Sequence, residues 1–287
     1  MTLSKTARAK VNLYLHVAAP DARGYHPLQS LVVFADIGDE VALSPAQGCQ
    51  LSIKGPFSQG LSRGEDNLVM KAVRRFEAFA GTRLSHDILL TKNLPIASGI
   101  GGGSADAGAV LTLLRQAYAP DMGDDDLASL AGAIGADGVM CLWSQPAVAE
   151  GYGEKLTPID LPSVPAVLIN PLVECSTAAV YAGFDAQGKF NDLEAGRGFS
   201  GIVNIDDMVT ALSHTRNDLQ APAIRMQPVI AQVLTDLEAQ QETLFARMSG
   251  SGATCFALCR TDEDAEALSV RLRVMYPSGW GRRCRLG

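Results

Sequence analysis

The sequence predicts a protein of two domains in which strands and helices are mixed. Its 287 residues exceed the usual reach of one hydrophobic core, which favours two units of about 100 to 200 residues each. Stretches with a period of two alternate with stretches whose apolar residues recur every three or four positions. Around residues 158–165 three prolines and little periodicity mark a connection, placing the boundary near Leu156 and the domains at 1–156 and 157–287.

Along residues 9–17, Val11, Leu13, Leu15 and Val17 point one way and Lys10, Asn12, Tyr14 and His16 the other, the pattern of a strand with one polar face. A second strand is expected over residues 28–43, beyond a loop rich in Pro and Gly, and the two can pair as antiparallel neighbours. Asp66 or Asn67 can cap a helix whose apolar stripe is Leu68, Val69, Ala72, Val73 and Phe76, with Gly81 at its end. A strand over 84–91, a loop over 94–103 and a helix over 104–118 follow. Asp124, Asp125 and Asp126 head another apolar helical segment, where carboxylates complement the helix dipole.

Beyond the connection, residues 166–170 read as a strand, and 177–183 and 206–213 as short helices. Residues 217–241 read as helix interrupted by Pro222 and Pro228. Strands over 243–248 and 254–259 flank a Gly/Ser loop, a helix covers 262–275, and 282–286 can close a sheet edge.

Composition narrows the functional classes. Apolar residues make up 47% and charged residues 19%, and no run approaches the roughly 20 apolar residues that cross a bilayer. The first residues run directly into a strand pattern without the apolar stretch and cleavage site of an export signal, so the expected location is the cytoplasm. The six cysteines lack the close pairing of zinc or disulfide frameworks, and Cys255 and Cys259 read as core. A formal charge of −7, without a basic run carrying interleaved aromatics, argues against a nucleic-acid surface.

One segment stands out chemically: Pro95-Ile96-Ala97-Ser98-Gly99-Ile100-Gly101-Gly102-Gly103-Ser104-Ala105, set between a strand and a helix. Four glycines allow close backbone approach, and a helix start aims N–H groups and partial positive charge at a ligand, which makes phosphate the natural guest. The spacing matches neither a P-loop nor Gly-x-Gly-x-x-Gly. Lys10 and Asn12 share a strand face about 7 Å apart. On its own, such a pair reads as an edge or solvent face. Asp137 in Gly135-Ala136-Asp137-Gly138 reads equally as a turn residue. Residues 248–253, Met-Ser-Gly-Ser-Gly-Ala, suit a hairpin turn or a second backbone nest for an anion.

Together and in this order, Ala9-Lys10-Val11-Asn12-Leu13, Arg23-Gly24-Tyr25-His26-Pro27-Leu28-Gln29-Ser30, the glycine loop, Asp137 and the 248–253 turn resemble the GHMP kinase superfamily over nearly the whole chain. The resemblance implies an α+β fold with an N-terminal ribosomal-protein-S5-like domain, a C-terminal ferredoxin-like domain and an active site in the cleft between them. It implies ATP and Mg²⁺ as co-reactants, with Pro95 to Ala105 around the ATP phosphates and Asn67 and Lys92 at the nucleotide. Lys10 and Asp137 match the catalytic pair: Asp137 would accept the proton of the attacking hydroxyl, and Lys10 would orient that hydroxyl and stabilise charge. Asn12, Tyr25, His26, Tyr181, Gly250 and Gly252 match positions that hold an acceptor bearing a cytidine diphosphate, an intermediate of isoprenoid precursor synthesis. No residue is assigned to the metal. Three departures from the family pattern stand out: Ala105 where a second serine is usual, Gly138-Val139 where Val-Pro usually follows the aspartate, and Arg23 where an acid usually precedes Gly-Tyr-His. Two other readings stay open, a GHMP kinase for another small alcohol and a nucleotide-binding sensor without turnover.

Overall fold

The computed structural model describes residues 2–193, 199 and 201–287. In chain order the elements are β1 (Leu3–Val17), β2 (Leu28–Pro45), β3 (Leu51–Lys54), α1 (Leu68–Ala80), β4 (His86–Thr91), α2 (Gly102–Tyr118), α3 (Asp124–Gly132), α4 (Gly138–Trp143), β5 (Ala147–Gly151) and β6 (Lys155–Pro158). They continue with β7 (Val164–Asn170), α5 (Thr177–Asp185), α6 (Ile205–Ser213), α7 (Gln220–Met226), α8 (Val229–Glu238), β8 (Phe245–Met248), β9 (Cys255–Leu258), α9 (Asp262–Met275) and β10 (Trp280–Leu286). Among the described residues no helix is long and apolar enough to cross a membrane.

The chain packs as two units, each assembled from separate stretches. The first holds the chain up to Lys10, Ile37–Ile96 and Gly101–Ser144; the second holds Val11–Asp36, Ala97–Ile100 and Gln145–Gly287. The last passage into the second unit falls after Ser144, because β5 pairs with Leu28 to Val32 of β2 and β6 pairs with β5. Strands β1 and β2 pair with each other, and each contributes residues to both units.

In the first unit, β4 pairs antiparallel with residues 40–45 of β2 and parallel with β3. Asn67 caps α1 by accepting the Val69 N–H, and Gly81 ends it at φ 63°, as the sequence indicates. The buried stripe Val69, Val73 and Phe76 faces α2, and each such side chain adds about 1.5–3 kcal/mol on burial. Helix α3 carries Asp124, Asp125 and Asp126 in its first turn.

In the second unit, β10, β7, β9 and β8 lie side by side and antiparallel. Strand β10 does not close an edge, as its terminal position suggests; it pairs with β7 over seven residues and meets β2 at Leu286 opposite Ala35. The core gathers Val167, Ile169, Val180, Phe184, Ile230, Val233, Ala257 and Leu268. Cys255 and Cys259 are fully buried, and none of the six cysteines forms a disulfide. Helix α7 carries Pro222 in its first turn, where a missing N–H costs nothing, and α8 begins directly after Pro228.

Candidate active site

The polar face of β1 is not a solvent face. Lys10, Asn12, Tyr14 and His16 are all buried, because both faces of the strand are covered from Ala9 to Val17. A buried ammonium requires a counter-charge, and Lys10 Nζ lies 3.2 Å from Asp137 Oδ2 in the same unit. The lysine side chain is 8% exposed and the aspartate 36%, so the pair has one covered end and one end open to a ligand.

Asp137 is held by a helix that sequence periodicity does not announce. It stands at the N-cap position of α4, and its carbonyl accepts the Cys141 N–H at 3.0 Å. Gly138, one of the departures from the family pattern, is required by the packing here. A Cβ there would fall 2.0 Å from the Ala131 carbonyl oxygen of α3, so only glycine admits this approach. On the other side, a Cβ at Gly108 of α2 would lie 2.9 Å from Leu142 Cα. Helix α4 is thus seated by backbone-close packing against both neighbours.

The glycine loop passes over the pair. A Cβ at Gly101, whose φ is 65°, would lie 3.2 Å from Lys10 Cβ and 3.3 Å from Cys141 Sγ. The Cys141 thiol is pushed well up by burial and by the nearby Asp137 charge, which makes it packing rather than a nucleophile. Immediately after Gly101, α2 begins with Gly102, Gly103 and Ser104, and no side chain among the described residues caps it. The first turn thus offers N–H groups and the positive end of a helix dipole without a capping side chain. Loop residues 97–100 pack in the second unit and 101–105 in the first.

At the foot of the loop, Lys92 sits between Asp39, with which it makes a very short contact, and Asp106, at 2.8 Å. The resemblance puts Lys92 at the nucleotide; in the structure its ammonium is spent on these two carboxylates and the residue is buried. Burial opposes its charge, but Asp106 and Asp39 prevail and hold it above the usual lysine range. Asn67 is likewise occupied, accepting from Val69 N and donating to the Ser62 carbonyl at 2.7 Å.

The other expected residues all lie in the second unit, in separate groups. Asn12 donates through Nδ2 to Ser30 Oγ at 2.7 Å, and its backbone N–H donates to Ser249 Oγ. Ser249 in turn donates to the Gly99 carbonyl, and the Thr254 N–H donates to the Ser98 carbonyl, so residues 98–99 run along the 248–253 turn. Gly99 needs to be glycine there: at φ 76° a Cβ would lie 2.6 Å from the Ser249 carbonyl oxygen. Gly250 is close to Asn12 Oδ1, and Gly252 lies against Met248 and Cys175. Asn217, which sequence reading passes over, holds this turn by donating to the Met248 and Gly250 carbonyls, both at 2.8 Å, while accepting the Leu219 N–H.

His26 is flanked by rings, with Tyr181 at 5.2 Å, Phe184 at 5.8 Å and Phe190 at 6.3 Å between centroids. Its Nδ1 meets the Ala18 carbonyl and its Nε2 lies 3.1 Å from Asp185, so the imidazole is oriented from both sides. Tyr25 is 63% exposed. The Arg23 departure has a local explanation: its guanidinium pairs with Asp21 and lies over the Tyr25 and Tyr152 rings at 5.7 and 5.1 Å. Burial raises the Asp21 carboxyl, but donors from Tyr152, Arg23 and the Tyr25 N–H outweigh it and hold the group well below the usual carboxylate range. Arg23 thereby braces the loop that presents Tyr25.

Fold and site together set a glycine loop, unlike a P-loop in its spacing, beside the Lys10–Asp137 pair. The family models for the GHMP kinases N terminal domain and the GHMP kinases C terminal match residues 67–145 and 200–277. The chain is 49% identical to the 4-diphosphocytidyl-2-C-methyl-D-erythritol kinase of Caulobacter sp. (strain K31), over all of this chain and 99% of that one. It is 48% identical to the protein of the same name from Caulobacter vibrioides (strain NA1000 / CB15N), over the full length of both. A crystal structure of 4-(cytidine 5'-diphospho)-2C-methyl-D-erythritol kinase superposes with a TM-score of 0.79 at 30% identity, covering 99% of each chain. The chain belongs to the GHMP kinases and, within them, to the 4-diphosphocytidyl-2-C-methyl-D-erythritol kinase family.

Proposed function

We propose that the chain transfers the γ-phosphoryl group of ATP to the 2-hydroxyl of 4-diphosphocytidyl-2-C-methyl-D-erythritol, a step in isoprenoid precursor synthesis. The observation that carries the mechanism is the Lys10–Asp137 pair, 3.2 Å apart, with the Gly101 backbone packed against the lysine. Asp137 accepts the proton as the hydroxyl oxygen bonds to phosphorus and the bond to the β,γ-bridging oxygen breaks, leaving ADP. Lys10 orients the hydroxyl and offsets the charge that builds on the transferring group. The free amides at the start of α2 receive the phosphates, which are Pro95 to Ala105's part in the reaction. Asn67 and Lys92 support the nucleotide through the segments they hold.

Mg²⁺ arrives with the nucleotide as its co-substrate, screening phosphate charge. Among the described residues no group of three or more His, Cys, Asp and Glu side chains gathers to hold a metal ion. At the acceptor's other end, Tyr25, His26 and Tyr181 offer ring faces to the cytosine, while Asn12, Gly250 and Gly252 offer polar atoms to the nucleotide's sugar and diphosphate. The test is ADP release with Mg·ATP and a panel of 4-diphosphocytidyl-2-C-methyl-D-erythritol, mevalonate and homoserine. Turnover with the cytidylyl compound alone is expected; turnover with another alcohol, or with none despite saturable ATP binding, would overturn the assignment.

A further inference from the structure

The transfer chemistry gives Lys92 only a supporting part and leaves its two partner carboxylates, Asp39 and Asp106, without a task. Asp39, Lys92 and Asp106 have side chains 0%, 5% and 4% exposed, and bringing three charges out of water is costly unless their geometry is used. The geometry joins both ends of the glycine loop. Asp39 accepts the N–H groups of Asn93 and Leu94, which lead β4 into the loop, and Asn93 Nδ2 donates to the Gly38 carbonyl. At the other end, Asp106 belongs to the second turn of α2, and a Cβ on Gly102 would sit 3.5 Å from Lys92 Nζ and 3.6 Å from Asp39 Oδ2. Even a methyl at 102 would stand in van der Waals contact with the cluster, so the first turn of α2 lies beside it. All of these residues lie in the first unit.

We propose that Asp39, Lys92 and Asp106 form a positioning cluster for ATP, fixing both ends of the glycine loop and setting, through the charge on Asp106, how strongly the start of α2 holds an anionic phosphate. Asp106 is the variable member. Its Oδ1 has no hydrogen-bond partner among the described residues, a poor situation for a full carboxylate. The groups facing it are Lys92, Asp39 and the Cys141 thiol of α4. Burial raises the Asp106 carboxyl to about 7, with Lys92 pulling it down and Asp39 pushing it up. The sign follows directly: below that pH the group carries a proton and the cluster is neutral overall, and above it a negative charge stands behind the phosphate-facing amides. ATP affinity therefore falls as pH rises through 7.

This inference rests on the reading of the loop as a phosphate site, and its test is ATP binding without turnover, so failure on every acceptor alcohol would leave it standing. Calorimetric Kd values for Mg·ATP are measured from about pH 6 to 8.5 for the native protein, Asp106→Asn and Lys92→Met. The nucleotide's own protonation is common to all three and cancels in the comparison. Native affinity is expected to drop about threefold across the range, with Asp106→Asn flat and Lys92→Met weaker by about tenfold, while the Kd for the cytidylyl substrate stays within about twofold. Asp106→Asn keeps the side chain's size, so it remains informative should Lys92→Met fail to fold. Native-like affinity and slope in Asp106→Asn, or equal weakening of ATP and acceptor in Lys92→Met, would overturn the proposal.

Discussion

The two units hold their polar groups with different physics. In the first, the polar groups are charges held in buried positions: Lys10 against Asp137, and Lys92 between Asp39 and Asp106. In the second, neutral hydrogen bonds and rings dominate, with Asn12 to Ser30, Asn217 to the 248–250 carbonyls and His26 among Tyr181, Phe184 and Phe190, while the charged groups Asp185 and the Arg23–Asp21 pair only brace His26 and the Tyr25 loop. Under the proposed function the contrast matches two tasks. Moving a phosphoryl group requires charge that is already oriented when the transition state forms, whereas holding a base and a diphosphate requires shape and amides that do not compete for the proton. Disturbing the first unit should therefore damage turnover, and disturbing the second should damage capture.

The largest effect expected from this contrast is at Lys10. Lys10→Met removes the cation but keeps much of its apolar stem, and kcat should fall about a thousandfold with the acceptor KM nearly unchanged. Steady-state kinetics checks it; an effect confined to KM would erase the distinction between the units. Gly138→Val comes next, because the new Cβ meets the Ala131 carbonyl. Overpacking of this kind costs about 1–3 kcal/mol, lowering the melting temperature by about 5 °C in a calorimetric scan. The displaced Asp137 should then cost about tenfold or more in kcat. In the second unit, Asn217→Ala leaves the Met248 and Gly250 carbonyls without their donor, and the KM for the cytidylyl substrate should rise about tenfold while kcat at saturation holds. The smallest effect is expected at Tyr181→Ala, about a fivefold rise in the same KM with ATP affinity unaltered.

What could be read in advance depended on whether a feature is local. Asn67 and Gly81 around α1, and the strand, glycine loop and helix order from His86 to Tyr118, follow from spacing and capping chemistry that act over a few residues. The motifs likewise point to Lys10 and Asp137, although periodicity alone makes Lys10 a surface residue; only the covering of both faces of β1 reveals its burial. Helix α4 was hidden because six residues opening on glycine carry little helical signal, and its position depends on contacts with α2 and α3. The interior position of β10 depends on partners more than a hundred residues away, at β7 and β2. Asp39 and Asp106 left one faint trace, an acid set among small and apolar neighbours in Ile37-Gly38-Asp39 and Ala105-Asp106-Ala107. Their shared lysine is a tertiary fact that no local pattern contains.

The proposed role of Asp137 as the base is tested most directly by following radiolabel from [γ-³²P]ATP into 4-diphosphocytidyl-2-C-methyl-D-erythritol, with native protein and Asp137→Asn in parallel and ATP affinity measured on both. Native protein should label the acceptor, and the variant should bind ATP equally well yet transfer about a hundred- to ten-thousandfold more slowly. Transfer by Asp137→Asn at the native rate would contradict the account.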